Sequence, residues 1–309
     1  MRLIFVPQYP SKLRYQEWWA TEFPKNLKHY FDEIVTIGGY NAEEIFQAKP
    51  GDFSPIDQSI HWECEQIKEY MGMKLYHDDV MFIADLSFPG LFPNILHHKR
   101  PSKVFMFCHG TSLNNFDYFE KTRLTKMLIE KCHAALSDAV FVGSQYHVDK
   151  LNWENAVVTR LPYPPFETYT LSKDKQIISV SRPTKQKVDL EAEKKVMEHF
   201  NLDIHRPQNL QTWKDYYKFV ASSEIMLITS CEETFGYQVV DAVLNGCIPI
   251  APNSFSYREL LPHKYLYDSE TDMLCLIEQA LDGILGVPEL KCDREMKNFY
   301  QNLAYYMRG

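Results

Sequence analysis

Ser230-Cys231-Glu232-Glu233-Thr234-Phe235-Gly236-Tyr237-Gln238-Val239-Val240-Asp241 decides the fold of this chain. Before it, Ile225-Met226-Leu227-Ile228-Thr229 reads as a buried strand. After it, Tyr237 to Asn245 reads as a helix that stops at Gly246, and Cys247-Ile248-Pro249-Ile250-Ala251 reads as the next strand. The unit is strand, loop, helix, strand. It puts its loop at the carboxyl end of a parallel strand, where open α/β sheets bind ligands. The helix start offers unpaired N–H groups and the positive end of a dipole to an anion such as a diphosphate. Glu233 beside that start and Asp241 eight residues later suit a sugar and a ribose, both rich in hydroxyl donors. Taken alone, the same residues also fit an ordinary βαβ crossover with an acidic helix start.

The pattern resembles the glutamate–seven–glutamate motif of the GT-B glycosyltransferases, in particular the retaining family 4. Its consensus runs Glu-x-Phe-Gly, four residues, Glu-Ala, then Gly-x-Pro. Glu233-Thr234-Phe235-Gly236 matches the first half, Asp241-Ala242 stands where Glu-Ala is usual, and Gly246-Cys247-Ile248-Pro249 lies at the end. The resemblance implies that Glu233 contacts the donor sugar and Asp241 holds the ribose hydroxyls. Thr234, Phe235, Gly236 and Tyr237 would border the donor. Asp241 is one methylene shorter than the usual residue.

Ile177-Ile178-Ser179-Val180-Ser181-Arg182 reads as a strand ending in a cation, with Lys185 and Lys187 following. Cations there can neutralise a leaving diphosphate. The spacing of Arg182 and Lys187 resembles the family's strand-end Arg and its Lys, with Lys185 as a competitor. Only 51 residues separate Arg182 from Glu233. No apolar strand with a glycine turn is read in 201–208, so a shortened second domain is expected.

In the first half, Val104 to Ser112 is a buried strand opening into a polar turn. His109 matches the family's strand-end histidine near the donor sugar and acceptor, and Gly110 and Thr111 follow it. Ser137 to Tyr146 resembles the family's Ala-Asp-x-Val-x-x-x-Ser segment, with Ser144 read as a helix cap. The opening stretch Pro7 to Trp19 departs from the family because it lacks a Gly-Gly loop. Lys12 and Arg14 could replace backbone donors by charge. Tyr9 and Tyr15 could stack on an acceptor, while Trp19 and Phe23 read as the buried face of the first helix. Asp85, at another strand end, is a secondary candidate for acceptor binding or proton removal.

Alternating strands and helices predict an α/β chain with two Rossmann-like domains facing a cleft, 1–165 on the acceptor side and 166–309 on the donor side. A proline-stiffened linker is expected from Pro162 to about Lys175. A last amphipathic helix over about 293–307 could pack back on the first domain.

The 309 residues suffice for two cores. Net charge is −8. It divides evenly, with 17 basic and 21 acidic residues in 1–170 and 16 and 20 in the rest. Neither half has the basic excess of a protein that grips nucleic acid by its phosphates. Seven cysteines without ligand spacing predict reduced thiols and a cytoplasmic location, and no apolar run predicts a membrane span.

The resemblance implies transfer of a sugar from a nucleotide-diphosphate donor to an acceptor hydroxyl, with retention, no metal and no cofactor. The absence of an Asp-x-Asp pair agrees with the metal expectation. The acceptor stays open between a saccharide and a hydroxymethylated pyrimidine of DNA. Two rivals remain: a GT-B sugar-nucleotide epimerase, and a nucleotide-sugar-binding protein without catalysis. Oligomeric state is not legible.

Overall fold

The computed structural model describes residues 1–10, 14–38, 56–86, 88–114, 122–181, 187–208 and 210–309. Short, mostly apolar runs become strands, and those in the middle of each sheet are largely buried on both faces, as parallel sheets require. The first sheet contains β1 (Arg2–Val6), β2 (Glu33–Thr36), β3 (Val80–Ile83), β4 (Lys103–Phe107), β5 (Ala139–Val142) and β6 (Ala156–Val158). Its order is β2-β1-β3-β4-β5-β6, all parallel, with Leu3 opposite Val80. The second contains β7 (Lys175–Ile178), β8 (Ile204–His205), β9 (Ser223–Leu227), β10 (Ile248–Pro252) and β11 (Leu266–Tyr267). Its order is β11-β10-β9-β7-β8, again parallel, with Ile225 opposite both Ile177 and Ile248. The short β8 fills the interval where no strand is expected from the sequence, and it adds one edge to the second sheet.

Each sheet reverses its winding direction once. In the first sheet the reversal lies between β1 and β3, and in the second between β7 and β9. Helices diverge to opposite faces at such a point, which leaves a crevice above the strand ends. The crossovers around them are α1 (Tyr15–Leu27), α2 (Ile56–Gly72), α3 (Pro93–His98), α4 (Arg123–Leu136) and α5 (Gln145–Leu151) in the first half. The second half has α6 (Leu190–Phe200), α7 (Trp213–Ala221), α8 (Tyr237–Leu244), α9 (Tyr257–Leu260) and α10 (Glu270–Leu281). Local chemistry fixes several starts. Asp189 accepts from the N–H groups of Glu191 and Ala192 at α6, and Thr212 and Asp215 form a capping box at α7.

The single terminal helix expected over 293–307 is two, α11 (Asp293–Lys297) and α12 (Phe299–Arg308), separated at Asn298. Phe299 meets Phe23 of α1 edge-on with ring centres 5.6 Å apart, and Tyr306 lies 5.9 Å from Phe141 of β5. The chain's last helix therefore packs on the first sheet's side. Between the sheets, 159–174 carries no helix or strand, yet it is anchored. The Tyr163 hydroxyl donates to Asp293, Phe166 stacks on Trp213 at 4.8 Å, and Lys173 donates to the carbonyls of Ala221 and Gly246. Among the described residues no helix is long and apolar enough to cross a membrane, and all seven cysteines are unpaired.

Candidate functional site

The turn after β9 lies at the second sheet's winding reversal. Gly236 enters α8 at φ +95°, and a Cβ there would lie 2.8 Å from the Tyr257 ring. Glycine is therefore required on both conformational and steric grounds. Glu233 is partly exposed and folds back on its own turn. Its Oε1 accepts from the backbone N–H groups of Thr234 at 2.9 Å and Phe235 at 3.4 Å. The donors expected to face a diphosphate are thus held by a carboxylate of the same loop. Beside the turn, the Gln238 amide accepts from Ser181 and donates to Ser230 and Tyr257. The Asp189 N–H donates to Thr229 at the end of β9, which brings the partly buried Lys187 segment alongside. Arg182 and Lys185 lie outside the described residues.

The same turn meets the first half directly. The Thr234 hydroxyl donates to the His109 carbonyl at 2.7 Å, and the Ser144 hydroxyl donates to the Thr234 carbonyl at 2.6 Å. Ser144 also accepts from the His147 N–H as the cap of α5. Phe235 packs over Gly143, where a Cβ would lie 2.8 Å from its ring. Two ion pairs flank these contacts. Lys150 binds the buried Glu232 at 2.7 Å, and Arg160 binds Glu259. Glu259 in turn accepts from the N–H groups of Gln145 and Tyr146, placing a carboxylate at the start of α5.

His109 is partly buried at the end of β4, enclosed by Tyr15 at 4.3 Å, Trp19 at 4.4 Å and Phe107 at 4.6 Å between ring centres. Its Nε2 lies 3.0 Å from the Ala84 carbonyl. A carbonyl only accepts, so Nε2 carries the proton and Nδ1 keeps a lone pair. Desolvation lowers the imidazole pKa to about 3, so the ring is neutral at physiological pH.

Three expected site residues are engaged by partners within the fold. Asp241, read as the ribose ligand, is buried. The face of α8 that carries it turns toward α7, and the hydroxyls of Tyr216 and Tyr217 donate to its two oxygens, each at 2.9 Å. Burial raises its pKa to about 7 against the opposing pull of these two donors. Thr111, read as acceptor-binding, is fully buried, and its hydroxyl donates to the buried Glu130. Tyr237, read with the donor, sends its hydroxyl to the Pro162 carbonyl. Gly110 is exposed beside His109.

The acceptor-side residues divide. Lys12 lies outside the described residues. Arg14 is the residue before α1 and is partly buried. Tyr15 covers His109. Tyr9 and Asp85 line a cavity of about 170 Å³ above the ends of β1 and β3, at the first sheet's winding reversal. Trp62, Glu63 and Gln66 of α2 and Gln8 and Gln16 also line it. Burial raises the Glu63 carboxyl to about 7, with Asp85 raising it further and Lys126 opposing. The residues from α2 were missed in the sequence. Their one signal is that positions 62, 63 and 66 share a helix face. Among the described residues no three His, Cys, Asp or Glu side chains converge as metal ligands.

No family model matches the chain. A 56-residue stretch is 36% identical to tRNA-queuosine alpha-mannosyltransferase of Drosophila melanogaster, covering 18% of this chain and 15% of that protein. Sucrose-phosphate synthase from Thermosynechococcus elongatus superposes with a TM-score of 0.65 at 12% identity, over 100% of this chain and 95% of that one. HepE of Anabaena, in complex with UDP and glucose, gives 0.61 at 12% identity, over 99% and 95%. Full coverage with two parallel sheets establishes the GT-B fold that the motif implied.

Proposed function

We propose that this chain is a glycosyltransferase that moves a sugar from a nucleoside-diphosphate donor to an acceptor hydroxyl, with retention and without a metal. The observation that carries the reading is the Glu233–Gly236 turn. It stands at one sheet's winding reversal and touches, through Thr234, the end of β4 beside the other sheet's reversal. Sucrose-phosphate synthase and HepE share this two-sheet arrangement, and the short stretch of higher identity is to a mannosyltransferase.

In this reading the bond from the anomeric carbon to the diphosphate breaks and a bond to the acceptor oxygen forms. Arg182, with Lys187 or Lys185, neutralises the departing diphosphate. Glu233 exchanges its own backbone N–H groups for sugar hydroxyls, which frees those N–H groups for the anion. His109, neutral and with a lone pair on Nδ1, accepts a hydroxyl of the sugar. Asp85 receives the acceptor's proton. The ribose falls to other groups, because Asp241 is engaged by two tyrosines. The contacts between the halves describe a closed arrangement, which excludes water from the reacting centre.

A thermal-shift panel of UDP, GDP, ADP and their sugar conjugates tests the reading. The expected result is selective stabilisation by one nucleotide, lost in Arg182→Ala and in Glu233→Ala. Silence across the panel would sink it. A second reading takes a modified nucleoside as the acceptor, either in RNA, as the mannosyltransferase's name suggests, or a hydroxymethylated pyrimidine in DNA. The even acidic balance opposes tight phosphate contacts. Salt-dependent binding of tRNA or of a modified duplex would favour this reading over a free saccharide.

A further inference from the structure

A second cavity, of about 380 Å³, lies beside the edge strand β6 of the first sheet. Val158, Thr159 and Arg160 at the end of β6 form one side. Glu295 of α11 and Asn302, Tyr305 and Tyr306 of α12 form the other. The volume falls within the range of small-molecule sites, roughly 300–1,000 Å³. The cavity stands apart from the reacting centre. β5 separates β6 from β4, whose end carries His109, and two strand spacings amount to about 10 Å.

The β6 side is fixed by its own bonds. Thr159 is buried, and its hydroxyl donates to the Arg160 carbonyl at 3.2 Å. Arg160 takes φ +66°, a conformation uncommon for a residue other than glycine. Such strain persists only where the surroundings over-determine it, and it gathers at ligand sites and switches. The Arg160 guanidinium is held by Glu259 and by the Gly143 carbonyl at 3.4 Å, so its charge is already matched. The helix side is aromatic and polar at once. Asn302, Tyr305 and Tyr306 are spaced three and four residues apart and share one face of α12. Tyr305 is 78% exposed and Tyr306 43%, and their rings meet edge-on at 6.2 Å.

We propose that this cavity is a binding site for a neutral saccharide, apart from the cleft where transfer occurs. A sugar ring has a face of C–H groups and a rim of hydroxyls that both donate and accept. The C–H face packs on the Tyr305 ring, whose apolar body and polar tip suit such a ligand. The Asn302 amide and the tyrosine hydroxyls each donate and accept, and the Glu295 carboxylate accepts, so the hydroxyl rim is matched in both senses. An anionic ligand fits worse. Glu295 repels it, and the one lining cation, Arg160, is engaged by Glu259. The inference goes beyond the transferase reading and needs no donor. It assigns a place where a glycan segment is held away from the reacting centre.

Isothermal titration of the full chain with glucose, N-acetylglucosamine, maltose and glucuronate, at pH 7 and constant ionic strength, tests the assignment. The expected result is a Kd of about 1 mM for at least one neutral sugar, as befits one stacked ring and a few hydrogen bonds, with glucuronate weakest. Tyr305→Ala and Asn302→Ala should each weaken that sugar about five- to tenfold. Tyr305→Phe, which keeps the ring, should stay near wild type. No binding by any neutral sugar overturns the proposal, as does glucuronate binding as tightly as glucose, or an affinity unchanged in the folded alanine variants. Binding lost in Glu233→Ala and kept in Tyr305→Ala also overturns it, by placing the sugar in the cleft. If the alanine variants fail to fold, the wild-type ranking of glucose against glucuronate decides alone. The nucleotide panel above, run on the same preparation, separates the two readings. Nucleotide binding without sugar binding removes only this site. Sugar binding sensitive to Tyr305, without nucleotide binding, removes the transferase and leaves this site standing.

Discussion

The two winding reversals of this molecule carry similar residues in different surroundings. Above β7 and β9, Glu233 is bonded to its own backbone and Asp241 to two tyrosines. Above β1 and β3, Glu63, Asp85 and Gln16 face a cavity. The first arrangement holds its acceptors in internal bonds, and a ligand must displace at least one of them. The second keeps a shaped space with acceptor atoms around it. A carboxylate's neighbours, more than its place in a motif, therefore decide what it binds.

The sharpest way to break the comparison is to disturb the closed turn. Gly236→Val forces a side chain into a left-handed conformation and against the Tyr257 ring. Strain and overpacking together should cost roughly 3–5 kcal/mol, read as a lower urea midpoint. Gly283 also has positive φ, at +72°, but faces open space. Gly283→Ala should therefore cost only about 1 kcal/mol. Equal losses at the two positions would mean that the Gly236 turn is not sterically constrained.

The next effect separates a structural Asp241 from a ligand-binding one. Changing Tyr216 and Tyr217 to Phe together leaves a buried carboxylate without its two donors, at a cost of about 2–4 kcal/mol. Asp241→Asn should lower stability less and leave nucleotide affinity nearly unchanged. Affinity lost in Asp241→Asn at constant stability would return the residue to the ribose role that the motif implied.

Each region also holds one carboxyl raised to about 7, Asp241 from 3.8 and Glu63 from 4.5. In both, the folded state binds the proton more tightly than the unfolded chain does. Their stabilising contribution is complete below pH 3.8 and 4.5 respectively, and is lost as the pH rises to about 7. Unfolding free energy measured from pH 4 to 8 should carry this downward component. Asp241→Asn and Glu63→Gln should each remove part of it. A flat profile in both variants' parent would show that neither carboxyl carries a raised pKa in the folded chain.

Much of the fold was legible because it rests on local signals. Apolar runs such as Leu3 to Val6 and Ile225 to Leu227 read as buried strands, and the Phe235-Gly236 step marks the turn into α8. The place of a candidate residue was legible where its neighbours come from its own turn, as with Gly236, or where a strand end fixes its position, as with His109. It was not legible where a partner is distant. Nothing in the 230–241 stretch shows that Tyr216 and Tyr217 lie beneath Asp241, or that Glu259 reaches across to the start of α5. The cavity is hidden for the same reason, since residues 8, 16, 63 and 85 meet only after β1 and β3 pair.

The smallest expected effect lies on the contact between the two halves. The Trp213 indole, at the start of α7, donates to Glu17 of α1 at 3.1 Å, and its ring stacks on Phe166. Trp213→Phe keeps much of the stacking and removes the single hydrogen bond. Stability should fall by about 1 kcal/mol, readable as a small decrease in the urea midpoint. The kinetic consequence is more informative. The bond joins helices from the two sheets, so its loss should speed opening of the closed arrangement and raise the nucleotide association rate by a few-fold, with little change in affinity. An unchanged association rate would show that the Thr234–His109 and Glu232–Lys150 contacts set the opening step without help from this bond.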